Sequence, residues 1–254
     1  MLSPQALVSG IVNRLLPSFN TDGTESRTRL DSYGGQYTQP LVRKTHALAD
    51  EGTYFTAHNN QTGIAPTYGT AFSATAPFIT IFNNTALRCY IDYCALVAIA
   101  AGACTTTAGY TALAATVDSG NRYSSGGTNL TLPSSNSFQS AGASAIGNPG
   151  LTIFCGAITA TAAVSPRNVI GVRNIRPGVS STVINVVGDM NLLNFGGVEG
   201  STGSVTIANA NLMPQSLPPM VIGPNQTGLI YLWYPVLTAP SAATYAPEIG
   251  LWVR

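Results

Sequence analysis

Alternation of apolar and polar side chains is clearest near Arg254, where Ile249, Leu251 and Val253 fall on one side and Gly250, Trp252 and Arg254 on the other. Successive side chains of an extended strand point to opposite faces, so this spacing predicts a half-buried β-strand. Similar texture begins near residue 75, in runs rich in Ile, Val, Thr, Tyr and Phe separated by Gly, Pro, Asn and Ser. The predicted strands are 76–82, 88–101, 109–117, 151–163, 168–174, 181–188, 203–208, 227–237 and 246–253. The run 88–101 is long for one plain strand, which predicts a bend or bulge near 98–102. Residues 118–150 are dominated by Ser, Gly and Asn, and predict a long surface loop with a hairpin near Ser125-Gly126-Gly127.

The pattern before residue 75 is different. Leu7, Ile11 and Leu15 recur at fourfold spacing, Ser3 and Pro4 suit a helix start, and Pro17 stops it. A short amphipathic helix over 3–16 follows, and its apolar stripe needs a partner surface because so short a helix is marginal alone. Residues 18–74 show no sustained period. So long a structureless stretch is unusual inside a compact domain. The sequence therefore predicts an extended N-terminal arm over 1–74 and a β-sandwich body over 75–254. The fold class is all-β, a jelly-roll-like antiparallel β-sandwich, with the arm carrying the short helix. On this reading a chain starting near Gln61 stays folded.

Charge sharpens the division. Of 21 charged side chains, ten lie in the first 51 residues, five of each sign. Between Tyr93 and Pro166 only Asp118 and Arg122 are charged. A lone soluble domain carries about a quarter to a third charged residues on its surface. This chain has 8% charged residues and a net charge of +1. That balance predicts no direct nucleic-acid binding, and it predicts a body prone to associate with itself, as in a homotrimer. No apolar run is long enough to span a bilayer, and no basic leader with a cleavage site precedes 5–16. Asn-x-Ser/Thr matches at Asn60, Asn83, Asn129 and Asn225 are expected by chance in so Asn- and Thr-rich a chain.

Candidate chemistry is sparse. His46 and His58 lie in the arm, with no G-x-S-x-G anywhere, so a positioned nucleophile and base are not predicted. Asp50 and Glu51 are adjacent and diverge on an extended chain, unlike paired glycosidase carboxylates. Cys89, Cys94, Cys104 and Cys155 lack ligand spacing and read as buried free thiols. GDMNLLNFGGVEG could hold calcium through Asp189, Asn191, Asn194 and Glu199, although an Asn- and Asp-stabilised turn fits the spacing better. Arg173 and Arg176 could meet an anion or sit in an exposed turn. Tyr231, Trp233 and Trp252 could line a glycan face, with Tyr231 and Trp233 on one side of a strand and Tyr234 on the other; core packing is the competing reading. The expectation is a non-enzyme needing no cofactor or metal.

The segment YGGQYTQPLVRKTHALADEGTYFTAHN at 33–59, followed by QTGIAPT, resembles the opening of virion structural proteins of short-tailed double-stranded DNA bacteriophages. DSGNRYSSGGTNLT at 118–131, GDMNLLNFGGVEG at 188–200 and the stretch 221–254 strengthen the likeness. Within that group the chain is similar to capsid decoration, or cement, proteins. The resemblance implies a jelly-roll body, often trimeric, seated on the outer capsid surface where major capsid proteins meet. It carries over no catalytic residue. The capsid-contact candidates on the arm are Arg27, Arg29, Asp31, Tyr33, Tyr37, Arg43 and Lys44. Two alternatives stay open. One is a glycan-binding tail or fibre module using the Tyr/Trp cluster. The other is a jelly-roll capsid protein of a small virus, whose arm would be strongly basic where this one is balanced.

Overall fold

The computed structural model describes residues 44–104, 111–135, 150–161, 168–175, 187–196, 212–235 and 240–254. The predicted helix 3–16 and strand 203–208 lie outside these residues, as does all of 181–188 except the turn at 187–188. Among the described residues one helix, Lys44–Asp50 (α1), precedes twelve strands. These are Tyr54–His58 (β1), Ile79–Asn83 (β2), Cys89–Ala100 (β3), Thr111–Ser119 (β4), Tyr123–Asn129 (β5) and Leu151–Ala160 (β6). Asn168–Ile175 (β7), Met190–Phe195 (β8), Leu212–Leu217 (β9), Met220–Ile222 (β10), Gln226–Trp233 (β11) and Thr244–Val253 (β12) follow.

The strands form two six-stranded sheets. The first runs β1-β12-β3-β8-β9, with β10 also pairing β3; the second runs β5-β6-β2-β11-β4-β7. Every neighbouring pair is antiparallel except β8 with β9. This is an all-β sandwich. Its core is built by alternation: Phe55, Ile91, Cys94, Leu193, Ile249 and Leu251 come from the first sheet, and Ile79, Ile81, Leu113, Ile153, Ile230 and Leu232 from the second. Tyr234 and Tyr245 also enter the core, where their hydroxyls bond each other at 3.1 Å and so satisfy two buried polar groups.

Chain ends interleave across the sandwich. β12 lies between β1 and β3, and β11 lies between β2 and β4. Early strands are therefore completed by late ones, in both sheets.

Residues 45–74, assigned to the arm by sequence, fall within the compact unit Thr45–Arg254. Phe55 and Ala57 of β1 are fully buried in the core, and all five residues of β1 pair with β12. On α1, Leu48 is buried, and the Thr53 hydroxyl donates to the Leu48 carbonyl at the helix end. Isolated apolar patches such as Tyr54-Phe55 lack the length for a periodic signal, yet a five-residue strand needs only that much.

Two other segments differ from expectation. The predicted Ser125-Gly126-Gly127 hairpin is instead a stretch of β5, which pairs with β6 through two irregularities. Gly126 and Gly127 have φ of 81° and 75°, where a side chain would be strained, and a Cβ on Gly126 would strike the Ala157 carbonyl. Such bulges and exposed Ser and Gly residues blunt an edge strand against further pairing. The Gly-rich 188–200 segment leaves a turn at Gly188 and runs on as β8. Asn191 pairs across from Leu96 and is buried, whereas Asn194 pairs across from Tyr93 on the other face. Alternation thus separates two residues of the candidate calcium set. Asp189 is buried, and Glu199 lies outside the described residues.

All four cysteines are free and buried, as read from the sequence. Burial pushes the Cys89 and Cys94 thiols up to about 12, and the Cys155 thiol well above its ordinary value. Thiolate, the reactive form, is then scarce near neutrality. In native protein at pH 8, Cys89, Cys94 and Cys155 should resist a thiol-reactive chromogen for hours. In guanidinium all four cysteines should react within minutes.

Candidate functional site

The outward side of β1, β12 and β3 gathers side chains that the flanking sequence gives little hint of. Leu251 and Ile249 of β12 point into the core, so Trp252, Gly250 and Glu248 point out. Opposite them on β1 stand Tyr54, Thr56 and His58. On β3, Ile91 and Cys94 are both inward although three residues apart. The register shift between Gly250 and Leu251 accounts for this by inserting one residue. That bulge lets Asp92 reach the outer face beside Tyr93 without flipping the rest of the strand.

Two tyrosine–carboxylate pairs result. The Tyr54 hydroxyl donates to Asp92 Oδ2 at 3.0 Å, and the Tyr93 hydroxyl donates to Glu248 Oε1 at 2.5 Å. Both rings lean over Gly250, where any Cβ would collide with Tyr93 Cε1 and Tyr54 Oη. Glycine here is a packing requirement, since two phenols occupy the space a side chain would need. Neither carboxylate has a Lys, Arg or His partner among the described residues. Next along the strands, Tyr90 and Trp252 stack flat, with ring centroids 3.9 Å apart and planes 4° from parallel. Beyond them Arg88 and Arg254 exchange two backbone hydrogen bonds, of 2.9 and 3.0 Å. Both side chains are exposed, and alternation from inward Cys89 and Val253 places them on this same face.

Burial raises the Tyr54 and Tyr93 phenols above their ordinary value of 10, and the neighbouring carboxylates raise them further. Burial does the same to Tyr234, with Tyr245 adding to it. A group with a raised folded pKa contributes stability that is complete below its unfolded pKa and lost as pH rises beyond it. Stability should therefore hold to about pH 10 and then fall. Absorbance at 295 nm, which reads phenolate, should show these tyrosines ionising together with loss of structure, after the exposed ones.

The sequence-derived candidates fare unequally. Arg27, Arg29, Asp31, Tyr33, Tyr37 and Arg43 lie outside the described residues, and Lys44 opens α1. Tyr231 and Trp233 do share a face of β11, with Tyr234 on the other, but it is the outward face of the second sheet. Tyr231 is buried there, donates to the Ala74 carbonyl at 3.0 Å and is packed by Phe72. Phe72 also meets Trp233 edge-on. Trp252 lies on the first sheet, so the three proposed glycan aromatics form no common surface. His46 is exposed on α1; His58 stands across from Glu248 and accepts from the Asn60 amide. Arg173 lies on β7 and Arg176 outside the described residues. Asn83, a glycosylation match, is buried with its amide nitrogen against three carbonyls, which bars modification. Among the described residues no three His, Cys, Asp or Glu side chains gather at one point.

What sequence reasoning missed was the pairing of Tyr54 with Asp92 and Tyr93 with Glu248. The only available signal was Gly250 inside an otherwise regular strand, which marks a close approach. The chain matches no protein-family model, no curated protein and no solved structure.

Proposed function

We propose that the protein is a capsid decoration protein that binds between major capsid protein subunits and stabilises the shell, with no catalytic role. The observation that carries this reading is the partition of charge. Eight of 21 charges precede Thr45, where the compact unit begins, and the two in the long stretch between Tyr93 and Pro166, Asp118 and Arg122, bind each other inside the body. A sandwich so depleted of surface charge favours packing against copies and neighbours. The charged arm segment, with Arg27, Arg29, Asp31, Tyr33, Tyr37, Arg43 and Lys44, supplies the contacts to the shell. Interleaving of early and late strands in both sheets supports a jelly-roll-like topology. On β7, Val169 and Val172 are 56% and 47% exposed, apolar positions suited to contact around a three-fold axis.

The test is a reconstruction of the particle that contains this chain, together with particles lacking it. Density at symmetric positions on the outer shell is expected, and particles without the chain should lose their genome at lower temperature. A few copies at the tail would overturn the reading. That result would favour the glycan-binding alternative, for which the flat Tyr90–Trp252 pair beside two carboxylates is the supporting feature. A glycan array with Trp252→Ala as control checks it.

A further inference from the structure

We propose that the outward face of β1, β12 and β3 is a two-fold docking surface for a second copy of this chain. The face carries three rows across the strands. Arg88 and Arg254 form one end, the stacked Tyr90 and Trp252 the middle, and Asp92, Tyr93, Gly250 and Glu248 the other end. Charge thus runs from positive to negative along one face, with a flat aromatic plate at the centre.

A two-fold axis lying above the plate, across the strands, reverses strand direction and brings the face onto itself. Isologous contact requires that each residue and its partner exchange places between copies. Arg88 is two residues from Tyr90, and Asp92 is two residues from it on the other side. Each is about 7 Å from the axis along the strand, so Arg88 of one copy meets Asp92 of the second. The position symmetric with Arg254 about Trp252 is Gly250. Gly250 offers no side chain, and it is ringed by the Tyr54–Asp92 and Tyr93–Glu248 pairs. A guanidinium arriving there finds carboxylates and aromatic faces, both of which it favours.

Three strands about 4.8 Å apart and about eight residues long present roughly 400 Å². A free-standing complex buries about 800 Å² per partner. The contact is therefore weak between free molecules and becomes populated where copies are held close together.

The test is sedimentation of the full chain over a wide concentration range. Four proteins are compared: wild type, Arg88→Glu, Asp92→Arg, and both together. Wild type should show an association step that weakens with added salt. Each single substitution should weaken it tenfold or more, and the double should restore it to within about threefold. Urea midpoints establish folding; if Asp92→Arg does not fold, Arg88→Gln must still weaken association at least threefold. No association step in wild type, or singles that associate normally, or a double no better than either single, overturns the inference. So does an unaffected association alongside sugar binding that Trp252→Ala abolishes. Failure here is separable from failure of the trimer: monomers that only dimerise keep this surface, and trimers that go no further remove it.

Discussion

A chain beginning at Gln61 should be insoluble or molten, whereas one beginning at Lys44 should fold cooperatively. The first loses β1, which places Phe55 and Ala57 in the core with no exposure and covers one edge of β12. Truncating a buried Phe alone costs about 3–5 kcal/mol, within a total stability of about 5–15 kcal/mol. The uncovered β12 edge, apolar on its inward side, would also invite pairing with other chains. The second truncation keeps α1, β1 and the whole unit Thr45–Arg254. Circular dichroism melts of the two decide it. Cooperative melting of the chain that begins at Gln61 would mean that β12 needs no outer neighbour. If the arm docks the protein to shells, the chain that begins at Lys44 is the one that should stay folded and fail to bind them.

Replacing Asp118 with Ala should be the most damaging single charge change, at about 3–5 kcal/mol. Arg122 Nη2 donates to Asp118 Oδ1 at 3.1 Å, and Nε lies 3.1 Å from Oδ2. The side chains are 9% and 0% exposed, so the survivor of a single deletion is a charge removed from water without its partner. The surrounding bonds reinforce the site: the Thr161 amide donates to the Arg122 carbonyl, and the Thr227 hydroxyl donates to the Gly120 carbonyl. Replacing both residues, Asp118→Leu with Arg122→Met, should restore most of the loss, because an apolar pair carries no desolvation cost. Urea denaturation of the two singles and the double measures this. Singles within about 1 kcal/mol of wild type would show that water reaches the pair.

Alternation made much of the body legible. The strand expected at 246–253 is β12, at Thr244–Val253, with the faces assigned correctly; 88–101 is β3, at Cys89–Ala100. Its expected irregularity near 98–102 is present, since Thr244 pairs with Ala100 and Tyr245 with Ala98, leaving Ile99 over. The second bulge, at Asp92, had no sequence marker because Asp is common in loops and bulges alike. β1, β5, β8, β9 and β10 escaped: β1 is short, β5 is polar on both sides because it is an exposed edge, β8 sits among glycines, β9 contains Pro214, and β10 has three residues directly after Pro218-Pro219. The tyrosine–carboxylate face was illegible in principle. It joins residues 54, 92, 93 and 248, and only strand order brings those together. Tyr231 is buried, as the packing reading of the sequence had it, but on the outer face of its sheet, where Phe72 covers it.

The placement of β12 between β1 and β3 has a consequence during synthesis. A nascent chain that has exposed β1 to β11 still lacks the strand that joins β1 to β3 in one sheet. Its apolar inner edges must wait until Thr244–Val253 has cleared the ribosome. Until then the first sheet has β1 with no described neighbour but the short bridges to Thr131 and Ser134, and the second sheet depends on β11, itself late. Such distant pairing slows folding and lengthens the window for aggregation. It also acts as a length check. A chain that ends before Thr244 cannot close its core, so copies truncated there would go to proteases before they could enter any assembly.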